Sequence, residues 1–255
     1  MTISLLLELT KRDFTEKYSG SILGVLWAFI GPLVNIFIYV VIFSQIMGAR
    51  LPGISSTFSY GSYLAAGIVP WAAFSNTIIR SSAIFVEKKG LISKIRVSLP
   101  FLPVYIVLSE TLIFIITITI YLIFLVLIGH QFHHSVIFIP FVFIVQQIFA
   151  YSLGFFIAIF QVFIRDLREV TNIAIQLWFW FTPIVYIFDI LPDFAKKFFI
   201  YNPAYLFIKA YHDVFIYGQM PDFNNLIMVT IIGHALLILG YFSYKRLEKD
   251  IRDFI

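Results

Sequence analysis

Six apolar runs, each close to the length needed to cross a lipid bilayer, constrain this chain more than any motif it carries. They lie at roughly 25–47, 60–86, 100–128, 136–160, 170–188 and 226–244, with short polar segments between them. A bilayer core needs about 20 apolar residues in helical form. An all-α membrane protein with six transmembrane helices follows, because a helix satisfies its own backbone where water cannot. Composition agrees: 60% of residues are hydrophobic, 13% are charged and the mean hydropathy is +0.94. Soluble domains hold about 45–50% apolar residues. No polar stretch approaches the roughly 100 residues of an ordinary soluble domain, so 1–255 reads as one membrane domain. Cysteine is absent, which excludes disulfides, thiolate catalysis and Cys-ligated metals.

Ahead of the first run, Met1 to Ser21 lacks the basic start and apolar core of a cleavable signal. At helical spacing Ile3, Leu7, Thr10, Phe14 and Tyr18 fall on one side and Glu8, Arg12 and Glu16 on another, with Leu5 and Leu9 interrupting the polar face. The spacing predicts an N-terminal amphipathic helix at the membrane interface. The first run holds Gly31-Pro32 and Asn35; the second holds Pro70-Trp71 and ends near Arg80, within snorkelling reach of the next loop. Arg50 and Pro52-Gly53 mark the turn between these two runs.

Glu87 to Leu99 is the most basic interior loop. Lys88, Lys89, Lys94 and Arg96 flank Leu91, Ile92 and Ile95. Either a short helix here docks an apolar face on another protein, or the lysines only fix topology. Glu110 lies roughly 10–15 Å inside the third run. Such a carboxylate is either functional or bonded to a neighbouring span or to Ser109. His130, His133 and His134 have no acidic or thiolate companion, so no metal site is expected. Gln146 and Gln147 suit hydrogen bonds between helices. Arg165, Asp166, Arg168 and Glu169 form a charged elbow that leads into an aromatic fifth run broken at Thr182-Pro183. The pieces 194–201 and 204–217, parted at Asn202-Pro203, are short for spans and carry Lys196, Lys197, Lys209, His212 and Asp213. They read as a re-entrant helix pair, about 194–217, before the last span.

Basic residues collect on one side: Lys11, Arg12, Lys17, the 88–96 loop, Arg165, Arg168 and the tail from Lys245 to Arg252. Arg50, Lys196, Lys197 and Lys209 fall on the other. The positive-inside rule then puts both termini in the cytoplasm and accounts for the net charge of +4 without nucleic acid. The chain has no phosphate-cradling G-x-x-x-x-G-K-[ST] and no HExxH or GxSxG motif, which disfavours an enzyme. A membrane-embedded glycosyltransferase would need an acidic metal site, and Glu87, Asp166 and Glu169 are entangled with cations. A gradient-driven transporter has only Glu110 to titrate. What remains is a transport subunit driven by a partner.

Lys17-Tyr18, Ser21-Ile22-Leu23-Gly24, Trp27, Gly31-Pro32-Leu33, Arg165-Asp166-Leu167, Phe181 to Tyr186 and Tyr201-Asn202-Pro203 together resemble the permease subunit of ABC-2-type polysaccharide exporters. The likeness is strongest to exporters of lipid-linked O-antigen. Capsular-polysaccharide and teichoic-acid permeases share the same motifs. The resemblance implies two copies of this chain with two copies of a separate ATPase, which binds ATP and Mg while this chain binds no cofactor. A multi-pass location in the cytoplasmic (inner) membrane, in contact with membrane lipids, goes with it. It further implies that Glu87, Lys88, Lys89, Leu91 and Lys94 belong to the main coupling helix and Arg165, Asp166 and Arg168 to a second contact. Spans one and five would wall the channel, and 194–217 would gate its exit. Trp27, Tyr39, Trp178, Trp180, Pro183 and Tyr186 are the candidate channel lining. Their aromatic faces suit a sliding sugar chain, and equally an interfacial belt against lipid.

Overall fold

The computed structural model describes residues 3–46, 51, 57–94 and 97–254. The turn expected at Arg50 and Pro52-Gly53, and Ile95 and Arg96 of the basic loop, lie outside the described residues. Among the described residues ten α-helices follow one another and no strand occurs. They are α1 (Ile3–Lys17), α2 (Trp27–Phe37), α3 (Ser59–Glu87), α4 (Lys89–Ile92), α5 (Val104–Leu127), α6 (Ile139–Gln161), α7 (Leu167–Trp180), α8 (Asp193–Phe199), α9 (Pro203–Phe215) and α10 (Phe223–Phe254). A π-helix, Ile38–Ile46, continues α2.

Among the described residues, four segments are long and apolar enough to cross a membrane: Gly24–Phe43, Leu99–Leu127, His134–Gln161 and Phe223–Phe254. The chain is therefore a multi-pass membrane protein. The other two expected spans fall short of that measure for different reasons. The 29 residues of α3 suffice in length, but this helix is the buried centre of the bundle, packed by α5, α6, α7 and α9. Ser59, Ser62, Thr77, Ser81 and Ser82 are buried in it, and Asn76 and Arg80 bond a neighbouring helix, so its polar residues are met by protein rather than lipid. The fifth expected run stops early: α7 has 14 residues, about 21 Å of helix against about 30 Å of hydrocarbon. Beyond Trp180 the chain turns, since Pro183 has no N–H to continue the helix and the Thr182 hydroxyl donates to the Trp178 carbonyl at 2.8 Å. At the far end, the expected last span and the charged tail form one helix, α10, of 32 residues.

Helix α6 is bonded to α3 at two levels and approaches it closely at a third. Gln146 donates to the Pro70 carbonyl at 2.9 Å, and Thr77 donates to Gln147 at 2.9 Å. Lower down, a Cβ on Gly154 would stand 2.7 Å from the Ser81 Cβ. Only glycine lets the backbones come this near.

Two apolar cores result. One fills the middle of the bundle around Phe74, Phe149, Phe207 and Tyr211. The other closes one pole, where Phe85, Ile92, Val97, Leu99, Tyr105, Val162, Tyr244 and Ile251 bring together α3, α4, α5, α6 and α10. The packing face of α1 joins this second apolar core and matches the expected one in part, with Thr10 buried and Phe14 and Tyr18 half-buried. Leu5, Leu6 and Leu9 turn inward, while Ile3 is 78% and Leu7 59% exposed. The leucines that interrupt the polar face are the ones the fold uses.

The two short helices near the opposite pole have unlike surroundings. Helix α8 exposes Phe194 and Phe198, and the turn after it exposes Tyr201. In α9, every residue from Ala204 to Phe215 except Lys209 is buried.

Candidate functional site

At the pole closed by α1, a cluster of charges joins three helices. Arg80 on α3 bonds Asp13 of α1 with one guanidinium nitrogen and Glu110 of α5 with the other, the latter at 2.5 Å. Asn76 donates to Glu110 at 3.4 Å, and the Ser109 hydroxyl donates to Asp13 at 2.5 Å. Lys17 approaches Glu110 to 4.0 Å. Glu110 is only 1% exposed, so its charge depends on these partners. The Tyr18 phenol, in the turn after α1, is pushed above its ordinary value by burial and then by the nearby Glu110 charge. Arg80 therefore crosses between two carboxylates rather than snorkelling to a loop. Asp13, a polar residue on the packing face of α1, has the same explanation.

Around this cluster the basic loop and the charged elbow meet. Helix α3 ends at Glu87, and Arg168 in the first turn of α7 reaches Glu87 at 3.4 Å. Lys88 lies 5.9 Å above the Tyr105 ring. Lys89 and Lys94 are exposed, as are Arg165 and Asp166. The apolar face expected to point outward does not: Ile92 is 6% exposed and Leu91 half-buried, both held by the apolar core of this pole. What this pole shows to solvent is charge. The last turns of α10 complete it, with Arg252 donating to the Val97 carbonyl at 3.3 Å. A cavity of about 390 Å³ opens between α1 and α4, bounded by Arg12, Glu16, Lys88, Leu91 and Lys94.

The candidate lining residues divide into two sets. Trp27 and Tyr39 lie along a cavity of about 310 Å³ between the first span, α3 and α5, and Trp180 is 58% exposed. Trp178 turns inward instead. Its ring packs on Phe74, and its N–H donates to Asn202 at 2.7 Å. Pro183 is buried, with Tyr63 donating to its carbonyl at 3.4 Å. Tyr186 folds back to donate to the Trp180 carbonyl at 2.7 Å.

Asn202 is the residue that sequence reasoning undervalued. Its side chain caps Ala204 N–H at the start of α9 (3.0 Å), accepts from Trp178, and donates to the Phe181 carbonyl at 2.8 Å. An Asn immediately before Pro is a helix-start signal, which was legible as such. Its ties back to α7 were not.

Residues 4–216 match the family model described as ABC-2 type transporter. Over 253 residues the chain is 25% identical to the O-antigen export system permease protein RfbA of Myxococcus xanthus, covering 98% of this chain and 95% of that protein. It is 28% identical over 252 residues to a protein of the same name from Klebsiella pneumoniae, with the same coverage on each side.

Proposed function

The chain belongs to the ABC-2 type transporter family, and from that premise we propose that it is the channel-forming permease of an ATP-driven exporter of lipid-linked polysaccharide. Two copies assemble with two copies of a separate ATPase, which holds ATP and Mg. The complex lies in the cytoplasmic membrane. One observation carries the reading: the two charged segments set apart by 78 positions between Glu87 and Arg165 meet at a single pole through the Glu87–Arg168 pair. A partner pressing on Lys88, Lys89, Lys94 or Arg165 would load the ends of α3 and α7 together. Through Arg80, the same push would reach α1 and α5.

Both chain ends belong to this pole, since Leu5 and Ile251 share its core. An even number of crossings fits that arrangement. Six are counted when α3 and the α7 segment are included, with α8 and α9 as a re-entrant pair at the outer face. The basic balance then makes the charged pole cytoplasmic. Export of O-antigen, as in the names of the relatives, is the favoured cargo assignment; capsular polysaccharide or teichoic acid is the alternative.

Charge reversal at Lys88 and Lys89 tests the coupling. The double variant is expected to lose the ATPase on co-purification, or to keep it while export stops. Normal co-purification and normal export would leave the loop a topological signal only.

A further inference from the structure

A helix that stops leaves its last carbonyls without partners, and at the end of α7 the donors that meet them come partly from other helices. The Thr182 and Tyr186 hydroxyls take the Trp178 and Trp180 carbonyls, and Asn202, just before α9, takes that of Phe181. The turn beyond, 183–186, is met by α3. The Tyr60 phenol donates to the Val185 carbonyl at 2.6 Å, and the Tyr63 phenol shares its hydrogen between the Pro183 and Tyr186 carbonyls at 3.4 and 3.3 Å. One helical turn further along α3 is Gly67. A Cβ there would stand 3.0 Å from Ile184 Cγ2 and 3.0 Å from His212 Nε2, so the absent side chain seats the turn and α9 together. Residues 60, 63 and 67 are spaced three and four apart and share one face of the helix.

His212 closes the arrangement from α9. Its ring stacks on Tyr63 with centroids 3.7 Å apart, and its Nε2 lies 3.1 Å from the Tyr63 carbonyl. At the charged pole, α3 and α7 are paired again through Glu87 and Arg168. Between these ends Trp71 packs on Phe179 and Phe74 on Trp178. From Tyr60 to Glu87, α3 runs about 40 Å, close to the 40–45 Å or so of a bilayer with its head groups. The helix thus holds the α7 segment at both ends and at its middle. A phenol carries its O–H on a rigid ring with two χ angles, so the ties at 183–186 have reach with little slack.

We propose that Tyr60 and Tyr63 are positioning residues for transport: they make α3, the 183–186 turn and α9 one mechanical unit, so that displacement of α3 at the charged pole is delivered to α9 at the opposite one. This rests on the exporter reading and adds where the push arrives and which side chains deliver it.

Tyr60→Phe combined with Tyr63→Phe removes the two phenol donors and keeps both rings, including the stack on His212. The complex of this double variant with the ATPase is compared with the wild-type complex in lipid vesicles. Assembly and ATP hydrolysis are expected to be unchanged, while glycan exported per ATP hydrolysed falls about fivefold or more, the low end of coupling between distant sites. A purely structural role would lower hydrolysis and export in step, and an unchanged ratio would overturn the proposal. Tyr60→Phe alone, expected to give a smaller loss of the same ratio, decides the matter if the double variant does not assemble.

Hydrogen exchange gives a reading that needs no cargo. On addition of ATP the wild-type complex is expected to change its protection at 87–92, 183–186 and 203–215, whereas in the double variant only 87–92 should respond. Distant segments that respond equally in both complexes, or in neither, would overturn the proposal. A response that depends on the phenols in a wild-type complex that exports no glycan would count against the export reading instead and leave the ties standing.

Discussion

Arg80 concentrates more of the fold's electrostatics than any other side chain. It balances Glu110, which is buried, and Asp13, which is 13% exposed at the side chain. Removing one partner of a buried ion pair costs about 3–5 kcal/mol, because the charge left behind stays desolvated. Arg80→Leu should therefore lower the unfolding midpoint of the purified protein sharply, and Arg80→Leu combined with Glu110→Leu should recover part of it. Glu110→Gln still accepts from Arg80, so its loss should be smaller, about 1 kcal/mol on the scale of one hydrogen bond. The same variant separates two mechanisms. A gradient-driven transporter would lose export with the titratable group, whereas ATP-dependent export should persist in Glu110→Gln.

Between helices, close approach and capping set the geometry. Gly154→Val would drive a branched side chain against Ser81 and the Ile78 carbonyl, 3.2 Å from the first added carbon. Overpacking of this kind costs typically 1–3 kcal/mol. Separation of α3 from α6 should appear as faster hydrogen exchange in both helices. Asn202→Ala removes a helix cap, worth about 0.5–2 kcal/mol, and with it two bonds that hold the end of α7 to α9. Proteolysis in the 182–203 segment should speed up accordingly. The apolar runs made most elements legible, because lipid-length hydrophobicity is a strong local signal. The end of α7 was less so: Thr182-Pro183 announced an irregularity but not a helix of only 14 residues. For α1, periodicity placed Ile3, Leu7, Thr10, Phe14 and Tyr18 on one face; the last three do turn inward, whereas in the first turns the partner surface selects Leu5, Leu6 and Leu9 over Ile3 and Leu7. Trp178 shows the same limit at the candidate site. An indole on the α7 segment looked like lining, and only the position of Asn202 reveals that it points inward.

Across the whole molecule, the charged pole and the bundle are joined by few but specific links: Glu87 to Arg168, Arg80 to both carboxylates, and Arg252 to the loop carbonyl of Val97. The charged segments were visible in the sequence as separate basic patches. Their meeting was not, because pairing over such a separation depends on how α3 and α7 pack. Breaking the link by Glu87→Lys should reduce export more than it reduces binding of the proposed ATPase, since Lys89, Lys94 and Arg165 remain exposed. Restoring an opposite pair with Glu87→Lys and Arg168→Glu should regain export, and a double variant as defective as either single would show that the pair transmits nothing. The most direct measurement is the amount of polysaccharide on the surface of cells in which this chain is depleted while the ATPase is kept. Surface glycan is expected to fall while lipid-linked glycan accumulates inside. Undiminished surface glycan, with none retained, would contradict a role for this chain in polysaccharide export.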